Sequence, residues 1–446
     1  MFGTSGIRGR VGDEVTCELA LAVGRAVGSE GYERVVVGRD ARETGRMLED
    51  AMVSGLRETG VDVVRVGRAA TPTVARAVGW LDADAGVTVT ASHNPAPDNG
   101  VKLWTASGRA FDTSQQSAVA RRVREDDFEL VAYDAVGEAS RVGDATARHE
   151  RALVEAVTVD LDGLSVVVDV GCGMGLVSAQ ALDALGADVQ TLNAQPDGEF
   201  PARPSEPTAE NCEALASIVA GTDADFGVAH DGDADRTMAV TADGEFLAGD
   251  VLLAVFAAAV AGEGDRVAAP LNTSLAVDDA LERLGAELVH TRVGDGFVAE
   301  RTEDPDVVFG GEMSGAWIWP DATKCPDGPL AACKLAALVA ESDSLAALAS
   351  EIPSYPTRRD SVSVPDKHAV MEHVVAGIES EYAPGVVDDS DGVRVDTDDG
   401  WFLVRASGTQ PLVRLTAEAR SPERSDALAE RARSFLEDAI GAVDAS

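Results

Sequence analysis

The sequence predicts an α/β protein with three related α/β domains that contain mixed sheets, followed by a smaller C-terminal α+β domain. Two observations lead to this class. A pattern of strand, helix, glycine and strand recurs three times, and two prolines, Pro353 and Pro356, then interrupt it. The chain has 446 residues, of which 45% are hydrophobic, so it can bury sizeable cores. At roughly 150 residues per domain, this length accommodates three or four domains.

Each copy of the pattern has the same order of signals. A short apolar strand leads into a helix-length segment with leucine, then a glycine, then a second apolar strand. Leucines just before a glycine are typical of the C-terminal end of a helix. Apolar strands on both sides of a helix indicate βαβ units with buried, largely parallel strands. The paired strands are residues 35–37 and 61–64, 166–168 and 187–189, and 267–269 and 286–289.

The region after the two prolines has a different pattern. Its strand-like segments are residues 360–364, 392–395, 401–405 and 412–418. A long helix is predicted over residues 423–439, and its apolar face carries Leu428, Ala432, Phe435 and Ile440. We therefore predict domains at residues 1–150, 151–249, 250–354 and 355–446.

Acidic residues dominate the charge. There are 77 Asp and Glu against 37 Lys and Arg, a formal net charge of −40. Such a charge repels phosphate backbones and anionic membranes, so we predict no nucleic acid and no membrane partner. The acid is spread along the chain, and the basic residues are 33 arginines and four lysines. A spread excess indicates a halophilic protein, because high salt screens self-repulsion. An unusually acidic mesophilic protein is the alternative.

Three further features bear on where the protein works. The sequence contains no run of roughly 18 apolar residues that would predict a transmembrane helix. Its first residues lack the basic and apolar regions of a signal peptide. The five cysteines lie far apart and form no C-x-x-C pair, which disfavours disulfides and zinc. We expect a cytoplasmic protein.

A serine follows a β-branched run in the first domain. Residues 87–95 read VTVTASHNP, so a strand delivers Ser92 to a loop beyond its carboxyl end, where ligands of open α/β sheets bind. Serine is a weak nucleophile unless it is activated. The adjacent His93 does not by itself form a Ser–His pair, because neighbouring side chains usually diverge. Taken alone, Ser92 is typical of a turn.

Three carboxylates alternate after a strand in the second domain. Residues 226–236 read FGVAHDGDADR, which places Asp231, Asp233 and Asp235 at a strand end. Such a set suits a hard cation such as Mg²⁺, which takes oxygen ligands. An EF-hand fails because Arg236 stands where its glycine belongs and Ala242 where its glutamate belongs. The segment therefore predicts a metal site.

Two other segments are candidates for ligand binding. Residues 405–411 read RASGTQP, with Arg414 following, and hydroxyls and arginines around a glycine could form a phosphate cradle. An ordinary Ser-Gly-Thr turn is the alternative. Residues 310–315 read GGEMSG, and a Glu and a Ser in a glycine-rich loop could bind sugar hydroxyls.

In this order, the four segments resemble the α-D-phosphohexomutase superfamily, which includes phosphoglucosamine mutases and phosphomannomutase/phosphoglucomutases. The resemblance runs from residues 2–9 (FGTSGIRG) to Arg414, nearly the whole chain. The family has four domains around a central cleft, and three of them share one α/β fold. The resemblance thus implies an intramolecular phosphotransferase of the isomerase class that acts on small sugar phosphates, as a monomer or homodimer.

The resemblance also implies a role for each segment. Ser92 would be the phosphoserine that donates and recovers a phosphoryl group, with Arg8 and Lys102 at the reaction centre. Asp231, Asp233 and Asp235 would hold one Mg²⁺ per subunit together with the phosphate on Ser92. The remaining residues would bind substrate: Glu312, Ser314, Gly294, Asp295, Arg236 and His93 at the sugar, and Arg405, Ser407, Gly408, Thr409 and Arg414 at the phosphate that is not transferred.

The implied reaction places demands on the protein. A 1-phosphate and a 6-phosphate are interconverted through a bisphosphate that must turn end for end, so one anchor must accept either phosphate. A mobile C-terminal domain would allow closure for transfer and opening for reorientation. Because a phosphate must stand on Ser92 before the first turnover, a hexose bisphosphate is expected as a priming activator.

Two positions depart from common versions of the family. Ala316 stands where some members have a histidine assigned as an acid–base group, which leaves the general base unassigned. Gln410 stands where Glu is frequent. The FGTSGIRG start and the segment DNGVK at residues 98–102 look most like phosphoglucosamine mutases. We therefore predict interconversion of glucosamine 6-phosphate and glucosamine 1-phosphate. The alternatives are phosphomannomutase/phosphoglucomutase activity and a non-catalytic sugar-phosphate-binding paralogue.

Overall fold

Four β-sheets organise the protein. The computed structural model describes residues 1–3, 6–407 and 411–444. Within these ranges, three sheets mix parallel and antiparallel strands, and the fourth is antiparallel. The predicted fold class, three mixed α/β domains and a C-terminal α+β domain, is confirmed.

Domain 1 contains the largest sheet. Its elements are β1 (Ile7–Arg10), α1 (Cys17–Gly28), β2 (Arg34–Arg39), α2 (Gly45–Glu58), β3 (Asp62–Arg68), α3 (Thr71–Trp80), β4 (Ala85–Val89), β5 (Asp98–Thr105), α4 (Thr113–Glu125) and β6 (Ala139–Arg141). The strand order is β1-β5-β4-β2-β3-β6. The apolar run of β2, Val35 to Val37, is fully buried, as expected for a central strand covered on both faces.

Domains 2 and 3 have smaller sheets. After α5 (Ala145–Glu155), domain 2 consists of β7 (Ser165–Asp169), α6 (Leu176–Ala184), β8 (Asp188–Leu192), α7 (Glu213–Ala220), β9 (Phe226–His230) and β10 (Thr237–Thr241). Domain 3 consists of α8 (Gly249–Val260), β11 (Arg266–Pro270), α9 (Leu275–Glu282), β12 (Glu287–Thr291), α10 (Asp295–Arg301), β13 (Val307–Glu312), β14 (Ala316–Ile318), α11 (Gly328–Ala340) and α12 (Leu345–Ser350). One continuous hydrophobic core extends through both domains.

The three sheets repeat one arrangement. The strand order is β5-β4-β2-β3 in domain 1, β10-β9-β7-β8 in domain 2 and β14-β13-β11-β12 in domain 3. In each, the strand pair predicted from the sequence is adjacent and parallel, and the last strand returns antiparallel to the third. The repeat seen in the sequence is therefore a repeat of topology. The connection between the third and fourth strands lies at the same place in all three domains.

Domain 4 is a five-stranded antiparallel sheet with two helices on one face. Its elements are β15 (Thr357–Ser363), α13 (Lys367–Glu381), a 3₁₀ turn (Pro384–Val386), β16 (Val387–Asp388), β17 (Val393–Thr397), β18 (Gly400–Ala406), β19 (Leu412–Ala419) and α14 (Pro422–Asp444). The predicted terminal helix is present, and Leu428, Ala432 and Phe435 pack against the sheet as expected. The strand order is β15-β19-β18-β17-β16.

The other face of the domain 4 sheet packs on domain 3. Glu418 is buried and accepts hydrogen bonds from the Ser274 hydroxyl at 2.9 Å and the Leu275 N–H at 2.7 Å, at the start of α9. Arg394, also buried, donates to the Leu271 carbonyl, and its guanidinium lies over the Trp401 ring. The interface is thus a polar contact around a small apolar patch. No described helix has the length and apolarity needed to cross a membrane.

Candidate active site

One candidate segment in each of domains 1 to 3 lies at the same point of the repeated topology. The connection between the third and fourth strands carries Ser92 in domain 1, the three aspartates in domain 2 and Ser314 in domain 3, where Glu312 is the last residue of the third strand. The loops of domains 2 and 3 touch directly, because the Thr237 N–H donates to the Gly315 carbonyl at 2.9 Å and the backbones of Arg236 and Ala316 form a bridge. Three equivalent loops therefore converge on one site.

Ser92 lies buried against the aspartates. Its hydroxyl donates to Asp231 Oδ2 at 2.6 Å and lies 3.4 Å from Asp235 Oδ1, although domain 1 supplies the serine and domain 2 the carboxylates. The backbone of Ser92 is left-handed, with φ of 50°, a conformation that residues other than glycine rarely adopt. Its N–H donates to Thr90 Oγ1 at 2.8 Å, which helps to hold this conformation.

The three aspartates form a candidate metal centre. Asp231, Asp233 and Asp235 are buried, and one carboxylate oxygen of each lies within 4.8 Å of the others. Asp233 Oδ1 is buried without a hydrogen-bond partner among the residues that the structure describes. Carboxylate oxygens are the ligands that Mg²⁺ prefers, and an unpartnered buried oxygen needs a positive partner. The set therefore fits a hard divalent cation.

Lys102 faces the same carboxylates from β5. Its ammonium donates to Asp233 Oδ2 at 3.0 Å and also pairs with Asp235. Burial would lower the pKa of Lys102, but the two carboxylates outweigh burial and raise it, so the side chain is charged. Burial opposes ionisation of Asp233 as well, yet Lys102 holds its pKa below the ordinary value. Burial and the neighbouring carboxylates raise the pKa of Asp231.

Basic side chains lie beside the three aspartates. Arg8 lies on β1, in register with Gly100 of β5, and its Nε is buried without a partner among the described residues. The backbone N–H of Arg236 donates to Asp231 Oδ1 at 3.2 Å. Burial, followed by the charges of Arg236, Arg8 and Lys102, lowers the pKa of His93 to about 2. His93 is therefore neutral at pH 7, and its buried Nδ1 has no described partner.

Glu312 and its neighbours form a second cluster in domain 3. Glu312 Oε1 accepts from the Gly294 N–H at 2.9 Å, and Oε2 accepts from the Ser314 hydroxyl at 3.2 Å. Burial and the nearby charge of Asp295 raise the pKa of Glu312 to about 7. Because Asp295 also raises the pKa of Lys102, this cluster adjoins the reaction centre.

The domain 4 residues form a third cluster. Arg405 and Arg414 are directly opposite each other on β18 and β19, so two like charges share one face of the hairpin. Such a pair is destabilising without a counter-ion. Arg405 Nη1 donates to Asp391 Oδ2 at 3.1 Å, and the same oxygen accepts from the Val293 N–H at 3.0 Å. Ser407 is buried at the end of β18. Gly408 and Thr409, and Gln410 beside them, lie outside the described residues.

Position 316, where some family members have a histidine assigned as the acid–base group, carries no titratable side chain in this protein. Ala316 is buried on β14, and its backbone forms a bridge with that of Arg236.

The sequence analysis did not identify several residues that hold the site. Thr71, at the start of α3, donates from its hydroxyl to Asp233 Oδ2. Arg42 and Ser205 both donate to the Ser92 carbonyl. An Asp-x-Arg pair directly after a buried strand, Asp40 and Arg42, is a signal that could have found one of them.

Comparison with known proteins identifies the class. Four models of the phosphoglucomutase/phosphomannomutase family match the chain: alpha/beta/alpha domain I at residues 1–130, domain II at 147–244, domain III at 248–355 and the C-terminal domain at 361–434. With its three α/β domains and a fourth of another build, the protein is a phosphohexomutase, an intramolecular phosphotransferase of the isomerase class. The chain belongs to the phosphoglucomutase/phosphomannomutase family.

Individual relatives are similar over their whole length. A protein of Methanococcoides burtonii named "Probable phosphoglucosamine mutase" is 44% identical over 443 residues, which is 99% of each chain. The crystal structure of a phosphoglucomutase/phosphomannomutase family protein from Burkholderia thailandensis has a TM-score of 0.88 at 28% identity, over 98% of both chains. The Aspergillus fumigatus N-acetylphosphoglucosamine mutase, solved with GlcNAc-6P and magnesium, has a TM-score of 0.60 at 17% identity, over 98% of this chain and 96% of that one. This last likeness concerns the fold alone.

Proposed function

We propose that this protein interconverts glucosamine 6-phosphate and glucosamine 1-phosphate, through a phosphoserine at Ser92 and a hexose bisphosphate. The observation that carries the proposal is the buried contact between Ser92 Oγ and the Asp231 carboxylate, inside a triad that also faces Lys102. A binding protein needs no hydroxyl on a buried carboxylate cluster. The choice of glucosamine is supported by the full-length similarity to the archaeal relative.

The proposed cycle balances over two transfers. In the first, the free hydroxyl of the sugar phosphate attacks the phosphorus on Ser92, the bond from phosphorus to Oγ breaks, and Oγ leaves with the electron pair. The hydroxyl proton is lost, and a proton is regained at Oγ. In the second, Ser92 Oγ attacks the other phosphoryl group of the bisphosphate, and the bond from that phosphorus to the sugar oxygen breaks. Oγ loses its proton and the leaving sugar oxygen gains one, which restores the phosphoserine and releases the isomeric monophosphate.

Charge at the reaction centre suits this transfer. Phosphoryl transfer requires in-line positioning and compensation of charge on the phosphoryl oxygens. The positive charges of Arg8, Lys102 and Arg236 all act on His93, and we assign Arg8 and Lys102 to the oxygens of the transferring group. Asp231, Asp233 and Asp235 would hold one Mg²⁺ per subunit, which would add positive charge at the same oxygens.

The sugar would be oriented by domain 3. Glu312 and Ser314 carry a carboxylate and a hydroxyl at the end of β13, and the Gly294–Asp295 turn lies against Glu312. Glu312 has a pKa of about 7, so it can present either an acceptor or a donor to sugar hydroxyls. We include Arg236 and His93 among the substrate-binding groups, because both border the reaction centre.

The phosphate that is not transferred would bind on domain 4. Arg405 and Arg414 share one face of their hairpin, and guanidinium groups match phosphate geometry. Ser407, Gly408 and Thr409 would donate the remaining hydrogen bonds. Because either end of the bisphosphate must use this anchor, we expect the Arg405–Asp391 pair to open when phosphate binds. A hexose bisphosphate would prime Ser92.

The remaining proposals concern the setting. We propose a cytoplasmic enzyme that works as a monomer or homodimer. We also propose that it comes from a saline cell, because high salt would screen its net charge of −40. The thermal midpoint should therefore rise steadily between about 0.1 M and 3 M KCl. A midpoint that does not respond to salt would favour an ordinary acidic protein.

A substrate panel tests the proposed function. Wild-type protein and Ser92→Ala are assayed at molar KCl with Mg²⁺ on the 6-phosphates of glucosamine, mannose and glucose, after priming with a hexose bisphosphate. We expect glucosamine phosphate to be preferred, with phosphate on Ser92 by mass spectrometry. Comparable turnover of all three sugars would replace this assignment by a broad phosphohexomutase. No isomerisation and no phosphate on Ser92 would favour a binding paralogue.

A further inference from the structure

One loop of domain 2 reaches across to domain 1. It spans residues 197–205, between β8 and α7, and packs tightly around Arg42. A Cβ at Gly198 would lie 2.5 Å from the Arg42 Cα, so no side chain fits there. The Arg42 guanidinium lies 5.0 Å from the centre of the Phe200 ring. The two domains therefore pack closely against each other at Arg42.

Ser205 ends this loop and joins two parts of the active site. It is buried, and its hydroxyl donates to the Ser92 carbonyl at 2.9 Å. The same oxygen accepts from the Gly232 N–H at 2.9 Å. Gly232 stands between Asp231 and Asp233, so a single hydroxyl connects the backbone of the nucleophile to the backbone of the triad. A Cβ at Gly232 would lie 2.7 Å from Ser205 Oγ and 3.0 Å from the Ser92 carbonyl oxygen.

Domain 1 fixes the serine loop independently. Arg42 donates to the Ser92 carbonyl at 2.8 Å and to the carbonyls of Asn94, Pro95 and Asp98. Its guanidinium is anchored by Asp40 at 3.1 Å. These contacts set the shape of the loop within domain 1. Thr71 and Lys102 also reach across to the triad of domain 2, through their side chains. Ser205 differs from them because it restrains the backbone of Ser92 itself, so the Ser92 carbonyl receives one donor from each domain.

We propose that Ser205 is a positioning residue for phosphoryl transfer, because it holds Ser92 of domain 1 in line with the carboxylate triad of domain 2. The inference rests on the proposed role of Ser92. Phosphoryl transfer depends on the alignment of attacking and leaving oxygens, and small displacements reduce its rate steeply. Ser205 itself touches neither the reacting hydroxyl nor the carboxylates, so its effect passes through the two backbones.

The test uses Ser205→Ala and a matched control, Ser29→Ala. Ser29 is also buried and also makes one bond of each kind: its hydroxyl donates to the Arg25 carbonyl at 2.8 Å and accepts from the Glu129 N–H at 2.9 Å. It lies in domain 1, away from the site. For each protein, kcat and KM are measured, together with the Mg²⁺ concentration that gives half of the metal-induced rise in thermal midpoint.

For Ser205→Ala we expect kcat to fall about tenfold or more with KM within about twofold, and half-saturating Mg²⁺ to rise by about tenfold. Ser29→Ala should keep all three within about twofold of wild type. The proposal is wrong if Ser205→Ala keeps kcat within that margin, or if the control loses as much. Should Ser205→Ala not fold, Ser205→Cys, which keeps the shape of the side chain but is somewhat larger and donates weakly, is judged by the same criteria.

The two hypotheses fail in different ways. If wild-type protein neither isomerises sugar phosphates nor carries phosphate on Ser92, the proposed function is wrong. If wild-type protein is active and phosphorylated but Ser205→Ala matches it, the proposed function stands and the role of Ser205 is wrong.

Discussion

The carboxylate triad of the proposed reaction centre and the arginine pair of the proposed domain 4 anchor carry like charges of opposite sign. At the reaction centre, Asp231, Asp233 and Asp235 face the Lys102 ammonium in a buried setting. At the anchor, Arg405 and Arg414 lie opposite each other, with the Asp391 carboxylate beside Arg405. Uncompensated like charges are costly, and most so when buried. The first region therefore favours a bound cation, and the second a bound anion.

The two regions also differ in how firmly their key groups are held. Ser92 is fixed through its backbone, by Thr90 and Arg42 of domain 1 and by Ser205 of domain 2. Arg405 is held by an ion pair at a partly exposed position, which a phosphate can replace. The difference matches the proposed cycle, in which the nucleophile stays in place and the anchor must accept either end of the bisphosphate.

Removing the proposed nucleophile, Ser92, should reduce mutase activity more than any other change. We expect Ser92→Ala to lose mutase activity by about 10⁴-fold or more and to carry no phosphate, since the transferred group has no other acceptor. A coupled assay and mass spectrometry of the peptide measure both, with Ser29→Ala as the control. Activity retained by Ser92→Ala would exclude the phosphoserine route.

Removing charge from the triad should have the next largest effect. In Asp233→Asn a carboxylate is lost whose Oδ1 has no hydrogen-bond partner in the described part of the chain, so we expect activity to fall by about 10³-fold. The Mg²⁺-dependent rise in thermal midpoint should also disappear, and chelation of metal from wild type should mimic the loss. Asp183→Asn, at an exposed position of the same domain, should behave as wild type. A metal response that survives in Asp233→Asn would contradict the assigned metal site.

The pH dependence of stability should reveal the state of the buried Glu312 carboxyl in domain 3. The pKa of Glu312 is raised from 4.5 to about 7, so its protonated form stabilises the fold below pH 4.5 and this contribution is lost as pH rises through 7. Glu312→Gln stays neutral. The free energy of unfolding of Glu312→Gln relative to wild type should therefore increase by about 3 kcal/mol between acidic and alkaline pH. Denaturant titrations across this range measure the difference, and a pH-independent difference would refute it.

Weakening the anchor should have the smallest effect. We expect Arg405→Ala to raise KM for the sugar phosphate about tenfold while Ser92 still accepts phosphate from a bisphosphate, because the reaction centre is intact. Arg424→Ala is the control, since Arg424 also lies in domain 4 and pairs with Asp399 at 2.8 Å. An unchanged KM in Arg405→Ala would contradict the proposal that Arg405 binds the phosphate that is not transferred.

Much of the fold could be predicted from local signals. The paired apolar runs around each central glycine are adjacent parallel strands, as predicted. The first strand of each pair is buried, as expected for a strand covered on both faces. The prediction of buried strands was wrong for β8 and β12, which lie at sheet edges and are partly exposed. The Ser92, Asp231 and Glu312 segments were recognisable because polar residues stand at the end of an apolar strand in each case. Their equivalence was not recognisable, since it lies in the strand order and not in any shared residue.

What the sequence by itself determined is the set of candidate groups: a serine, three aspartates and a glutamate at the ends of apolar runs, and a pair of arginines around a Ser-Gly-Thr segment. What only the tertiary structure decided is which of them meet. Ser205 belongs to another domain and lies 113 residues from Ser92 along the chain, yet it donates to the Ser92 carbonyl. The physical reason is that a buried carbonyl must be satisfied by whichever donors the packing of domains brings near, and local sequence carries no record of that packing.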